Sequence, residues 1–240
     1  MTSRLPKAFV FMHDELGQVH VTRRESSSRV SGRWKDGHAH FNVPVFLNAS
    51  QILESVNSLA HRMMAGKRSL SFYSGQRIEL DGITFHISTQ TVKPDSLICT
   101  LRDGTAYLEV GSSMDFNDEA TSESISRMMR RIASRVAPDI LIPRAQSIAG
   151  RLGLKVKSWS IMTGHHVLGK CSSDGRIKLS YMNVFLPVEL RDYIVCHELA
   201  HLKEMNHSRN FHALCDTYCC GREAVLTKAL NSYEWPLLRR

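Results

Sequence analysis

The stretch Asp192-Tyr193-Ile194-Val195-Cys196-His197-Glu198-Leu199-Ala200-His201-Leu202-Lys203-Glu204-Met205-Asn206-His207-Ser208 decides the reading of this chain. Pro187 stands just before it, where a proline suits the first turn of a helix, and the apolar positions that follow predict a helix to about Glu204. On a helix, residues four apart share a face one turn from each other, so His197 and His201 can grip one metal ion. Glu198, angled between them, can reach a water on that ion without binding it, as a general base must. With 12 His and 12 Glu in 240 residues, this HExxH arrangement is expected by accident only about 0.03 times.

A catalytic zinc usually has three protein ligands and a fourth position open to water. His207, ten residues after His197, is the candidate third ligand, and Glu204, three residues after His201, is its competitor. For His207 to return, the chain must break near Met205-Asn206. Asn is the residue after Gly that best accepts the left-handed backbone of helix ends.

Working outward, Ser208 is a good cap for a helix to about Tyr218, and a short helix follows over Glu223 to Leu230. Upstream, strands are predicted over Lys155 to Met162 and Arg176 to Tyr181, the latter being the candidate edge strand for a peptide substrate. Acidic residues Asp118, Glu119 and Glu123 open an amphipathic helix that Pro138 should end. A second helix, around Ala145 to Leu152, should stop at Gly153. Asp-Gly pairs at 36–37, 81–82, 103–104 and 174–175 mark tight hairpin turns. A helix from about Ala49 to Ala65, capped by Asn48, lies between the first two. The fold class is therefore α+β: a β-rich portion with one helix over residues 1–114, then a zincin-like unit over 115–240 with a small sheet and the HExxH helix.

Composition narrows the class. Hydrophobic residues make up 42% and charged residues 22%, as in folded soluble proteins. No apolar run is long enough for a membrane span, and Ala8 to Met12 is too short for a signal-peptide core, so a cytoplasmic protein without membrane contact is expected. The six cysteines form no CxxC pair and read as free thiols. Net charge is +8, yet residues 127–178 alone carry eleven basic side chains against Asp139 and Asp174. Within this block Arg127, Arg131 and Arg135, flanked by Arg130, form a stripe that is either a solvated helix face or a track for nucleic-acid phosphates.

The quoted stretch, with Leu168-Gly169-Lys170-Cys171-Ser172-Ser173-Asp174-Gly175-Arg176-Ile177, closely resembles the YgjP-like family of zinc metallopeptidase-type proteins, relatives of the SprT-like and WLM zincins. Val30 to Gly37 and the helix after it are similar to the family's N-terminal portion. The resemblance implies zinc held by His197, His201 and His207, Glu198 as catalytic base, and a peptide or protein substrate. Zinc-dependent nucleotide phosphohydrolysis is its alternative, and the SprT-like relatives add action on DNA-bound proteins. The chain departs from the family in having Leu168-Gly169-Lys170-Cys171-Ser172 where Trp-Gly-Ser-Cys-Ser is usual, and Arg209-Asn210-Phe211-His212 where Pro-x-Phe-Trp is usual. Neither removes a ligand. Substrate-binding residues are not identified at this level. His165, His166, Tyr181 and Tyr193 are minor candidates for steadying an oxyanion.

Overall fold

The computed structural model describes residues 5–35, 38–66, 71–164 and 166–238, and the chain divides into two compact units, Met1–Ser69 and Leu70–Arg240. In the first unit, β1 (Ala8–His13) and β2 (Gly17–Arg24) form an antiparallel hairpin absent from the sequence-based expectation. β3 (Ser31–Lys35) and β4 (His38–Pro44) form a second, whose expected Asp36-Gly37 turn lies outside the described residues. β2 and β4 pair in parallel, giving the order β1-β2-β4-β3. Alternating Val19, Val21, Phe41 and Val43 on the inner face share a core with Ile52, Val56 and Ala60 of α1 (Ala49–Gly66). A reciprocal cap starts α1: Asn48 Oδ1 accepts from the Gln51 N–H and Gln51 Oε1 from the Asn48 N–H, both at 3.0 Å.

The second unit opens with the same plan. β5 (Arg77–Leu80), β6 (Ile83–Gln90), β7 (Leu97–Arg102) and β8 (Thr105–Gly111) are again two hairpins with parallel inner strands, in the order β5-β6-β8-β7. Positive φ at both Asp103 (47°) and Gly104 (72°) explains why Asp-Gly closes the second hairpin. A long helix again follows, α2 (Glu119–Arg151), so four strands and a helix recur without any sequence repeat. Asp118 caps α2 by accepting from the Ala120 N–H, and Gly153 (φ +64°) follows its end.

The expected break at Pro138 does not occur: α2 runs 33 residues through both Pro138 and Pro143. One buried stripe, Ile125, Met129, Ala133, Ala137, Leu141, Ala145 and Ile148, crosses both prolines unbroken, so burial of a continuous face outweighs the two lost backbone donors. Both prolines are exposed, where water serves the released carbonyls. Arg127, Arg131 and Arg135 are exposed on this helix, but Arg130 leaves the expected stripe. It is buried, donating to Glu123 at 2.8 Å and to the Leu238 carbonyl.

The remaining elements build the site. β9 (Ser158–Met162), β10 (Gly169–Cys171) and β11 (Arg176–Ser180) form a sheet in the order β10-β11-β9. β11 is therefore the middle strand, antiparallel to β10 and parallel to β9, which corrects its expected place at the edge. A buried 3-10 turn, Tyr181–Phe185, leads to α3 (Val188–Ala200), then α4 (Arg209–Tyr218) and α5 (Glu223–Asn231). Pro187 caps α3 from outside its first turn.

α3 is buried on nearly every face, and its Arg191 acts as a strut. Only 3% exposed, Arg191 donates to the carbonyls of Leu186, Val184 and Asp81 at 2.9, 2.9 and 3.0 Å and to the Asp81 carboxylate at 3.1 Å. This ties the catalytic-helix candidate to the β5–β6 turn. Among the described residues no helix is long and apolar enough to cross a membrane.

Candidate metal centre

Helical periodicity sets His197 one turn from His201, their rings edge-on with centroids 5.0 Å apart. α3 ends at Ala200 with His201 as its C-cap, a turn earlier than the expected Glu204. Nor does Asn206 make the break by a left-handed conformation, because Asp103 and Cys220 are the only non-glycine residues with positive φ among those described. Instead the chain leaves the helix at His201, passes through an irregular segment, and re-enters helix at Ser208, whose hydroxyl accepts from the Phe211 N–H. That path returns His207 to α3.

The result is a cluster of three imidazoles whose candidate ligand atoms all lie within 4.8 Å of one another. His207 Nε2 and His197 Nε2 are 3.1 Å apart. Two nitrogens at 2.0–2.1 Å from a tetrahedral metal stand about 3.3 Å apart, so the donor set fits such an ion. His201 Nδ1–H donates to the Glu204 carbonyl at 3.0 Å, which fixes the tautomer and leaves Nε2 free. Glu204 thus serves through its backbone.

Burial, with the neighbouring imidazoles, pulls the His197 pKa down to about 4, and burial lowers that of His201, so both rings are neutral donors at pH 7. Fully buried Phe211 is the floor of the cluster, its ring centroid 4.4 to 4.9 Å from those of all three imidazoles.

Glu198 lies against β10. It is 5% exposed, and a Cβ placed on Gly169 would stand 2.4 Å from its Oε1. The glycine is what lets strand and carboxylate approach so closely. Burial pushes the Glu198 pKa up to about 7, against which the Cys171 backbone N–H, donating to the carboxylate, acts in the opposite direction.

The roles of Gly169 and Phe211 escaped the sequence reading. A glycine inside a strand was the available signal for the first, while nothing local marked the second. Of the minor candidates, Tyr193 turns its ring edge-on to His197, with centroids 6.1 Å apart. The Tyr193 hydroxyl pairs with Thr227 Oγ1 at 2.8 Å, Tyr181 is 3% exposed, His166 is exposed, and His165 lies outside the described residues. All six cysteines are free, with Cys196, Cys215 and Cys219 buried and Cys220 exposed.

A family model for the YgjP-like metallopeptidase domain matches residues 38–232, from β4 to just beyond α5. The chain belongs to the YgjP-like family. No curated protein and no solved structure matches it. Membership in the YgjP-like family makes the protein a metallopeptidase in general terms, with a metal cofactor and a protein or peptide substrate class. In this YgjP-like chain the match takes in the histidine cluster, Glu198 and the β9–β11 sheet.

Proposed function

We propose that this YgjP-like protein is a zinc peptidase in which His197, His201 and His207 hold the metal and Glu198 is the general base. The observation that carries the reading is the convergence of three imidazoles, from the end of α3 and the segment after it, on one point, with one edge at 3.1 Å. Three nitrogen ligands suit zinc and leave a position open for chemistry. Zinc, when bound, supplies a Lewis acid that polarises a carbonyl and acidifies a water.

The rest is the work of the chain's own residues. Glu198 takes a proton from the attacking water onto its carboxylate and passes it to the departing amine, restoring itself. Gly169 gives Glu198 its room, and the Cys171 N–H orients the carboxylate. The substrate backbone pairs as an added strand along the outer side of β10 at Gly169, beside the Cys171 N–H that serves Glu198, which brings a peptide carbonyl past Glu198.

The test is Glu198→Gln. The variant should keep about one zinc per chain by elemental analysis while hydrolysis of quenched fluorescent peptides disappears. Retained turnover would remove Glu198 from its role. Nucleoside triphosphates assayed beside the peptides separate this reading from phosphohydrolysis at the same centre.

A further inference from the structure

β10 and β11 place two lysines directly opposite each other. In the antiparallel register Lys170 faces Lys178, which in turn pairs with Ser160 of β9. Like charges opposed across a ladder repel, yet both side chains are exposed on the outer face, and neither has a carboxylate partner among the described residues. Lys157 and Arg176 are neutralised locally: Asp174 accepts from Arg176 at 2.8 Å and Lys157 at 3.2 Å. A bond from the Ser172 hydroxyl, with those two, holds the Asp174 carboxyl below the usual range. Lys170 and Lys178 have no such carboxylate among the described residues.

Their position relative to the free edge follows from the ladder. Ser180 N–H donates to the Leu168 carbonyl and Ser172 N–H to the Arg176 carbonyl, both at 2.9 Å. Hydrogen-bonded pairs recur every second residue, so Lys170 bonds to Lys178, and the backbone groups of Gly169 and Cys171 face away from β11. The Cys171 N–H that reaches Glu198 points in that direction. A strand added at this edge alternates likewise. The substrate residue alongside Lys170 carries its side chain on the lysine face, about 5 Å away between Cβ atoms, and its two neighbours point to the Gly169 side.

We propose that the outer face of the β9–β11 sheet is a carboxylate-binding subsite, in which Lys170, backed by Lys178, selects peptides with Asp or Glu at the residue lying alongside Lys170. The proposal rests on the peptidase reading above. An acidic side chain there relieves the repulsion between the two lysines, whereas a basic one adds a third like charge.

The experiment uses the zinc-loaded full chain and sets of quenched fluorescent peptides that differ only in Asp, Ala or Lys at successive positions around the scissile bond. At one position Asp should raise kcat/KM about fivefold over Ala at low salt, and the preference should shrink as ionic strength rises. Lys170→Glu should invert the preference toward Lys at that same position, and Lys178→Glu should weaken it. Zinc content should stay unchanged in both variants, and the melting temperature should not fall, because each replaces a like-charged pair by an opposite-charged one.

A flat profile in an enzyme that cleaves peptides, or a preference unmoved by Lys170→Glu, would overturn the subsite and leave the peptidase reading standing. Failure of the zinc-loaded protein to cleave any peptide would overturn both. So would turnover confined to nucleoside triphosphates.

Discussion

Gly169→Ala tests whether the placement of Glu198 against β10 matters. The new Cβ would stand 2.4 Å from Glu198 Oε1, 2.6 Å from its Cγ and 2.7 Å from its Cδ. Carbon contacts settle at about 3.5–4.0 Å, so the carboxylate must retreat by about 1 Å. Swinging the carboxylate alone does not relieve the clash, because Cγ is also too close. Moving the whole side chain is resisted by a helix in which Cys196, Leu199 and Ala200 are buried beside it.

Overpacking of this kind costs about 1–3 kcal/mol of stability, which for a chain of this size lowers the melting temperature by roughly 2–12 °C. The larger effect falls on catalysis: a reacting group displaced by about 1 Å loses about 100-fold in rate, equivalent to about 2.7 kcal/mol. Peptide hydrolysis should therefore fall about 100-fold in kcat while elemental analysis still finds about one zinc per chain. Gly150→Ala on α2, where an added Cβ meets nothing within 4 Å, is the matched control. It should leave turnover intact and add about 0.5–1 kcal/mol of stability. Wild-type turnover in Gly169→Ala would refute the argument, since it would mean that neither the approach of the strand nor the position of the carboxylate limits the reaction.

Two further outcomes follow from the same contacts. His207→Ala should weaken zinc binding by at least about 100-fold in a chelator competition, whereas Glu204→Gln should bind as the parent does, because Glu204 meets His201 through its carbonyl; the reverse ranking would reassign the third ligand. Arg191→Met removes the donors that serve three carbonyls and Asp81, and should cost about 3 kcal/mol in a denaturant titration. A loss below about 1 kcal/mol would show that the strut is dispensable.

What the sequence could reveal was local. The four-residue spacing of His197 and His201, the caps at Asn48 and Ser208, the Asp103-Gly104 turn and the stop at Gly153 all depend on neighbours within one helical turn or one hairpin, and the structure has each of them. The β1–β2 hairpin was legible in principle, since Phe9, Phe11, Val19 and Val21 alternate along it, but no Asp-Gly pair drew attention to its turn.

Burial between distant segments decided the rest. The parallel pairing of inner strands in two sheets joins residues about twenty apart, and no turn residue records it. A continuous core face carried α2 through two prolines that local propensity marks as stops. The same burial withdrew Arg130 from the basic stripe toward Glu123 and Leu238. The site divides along the same line. Helix geometry alone sets His197 above His201, but the return of His207, the Phe211 floor and the closeness of Glu198 to Gly169 exist only once separate elements pack together. Backbone periodicity acts over a few residues, and such contacts come from removing apolar surface from water across the whole unit.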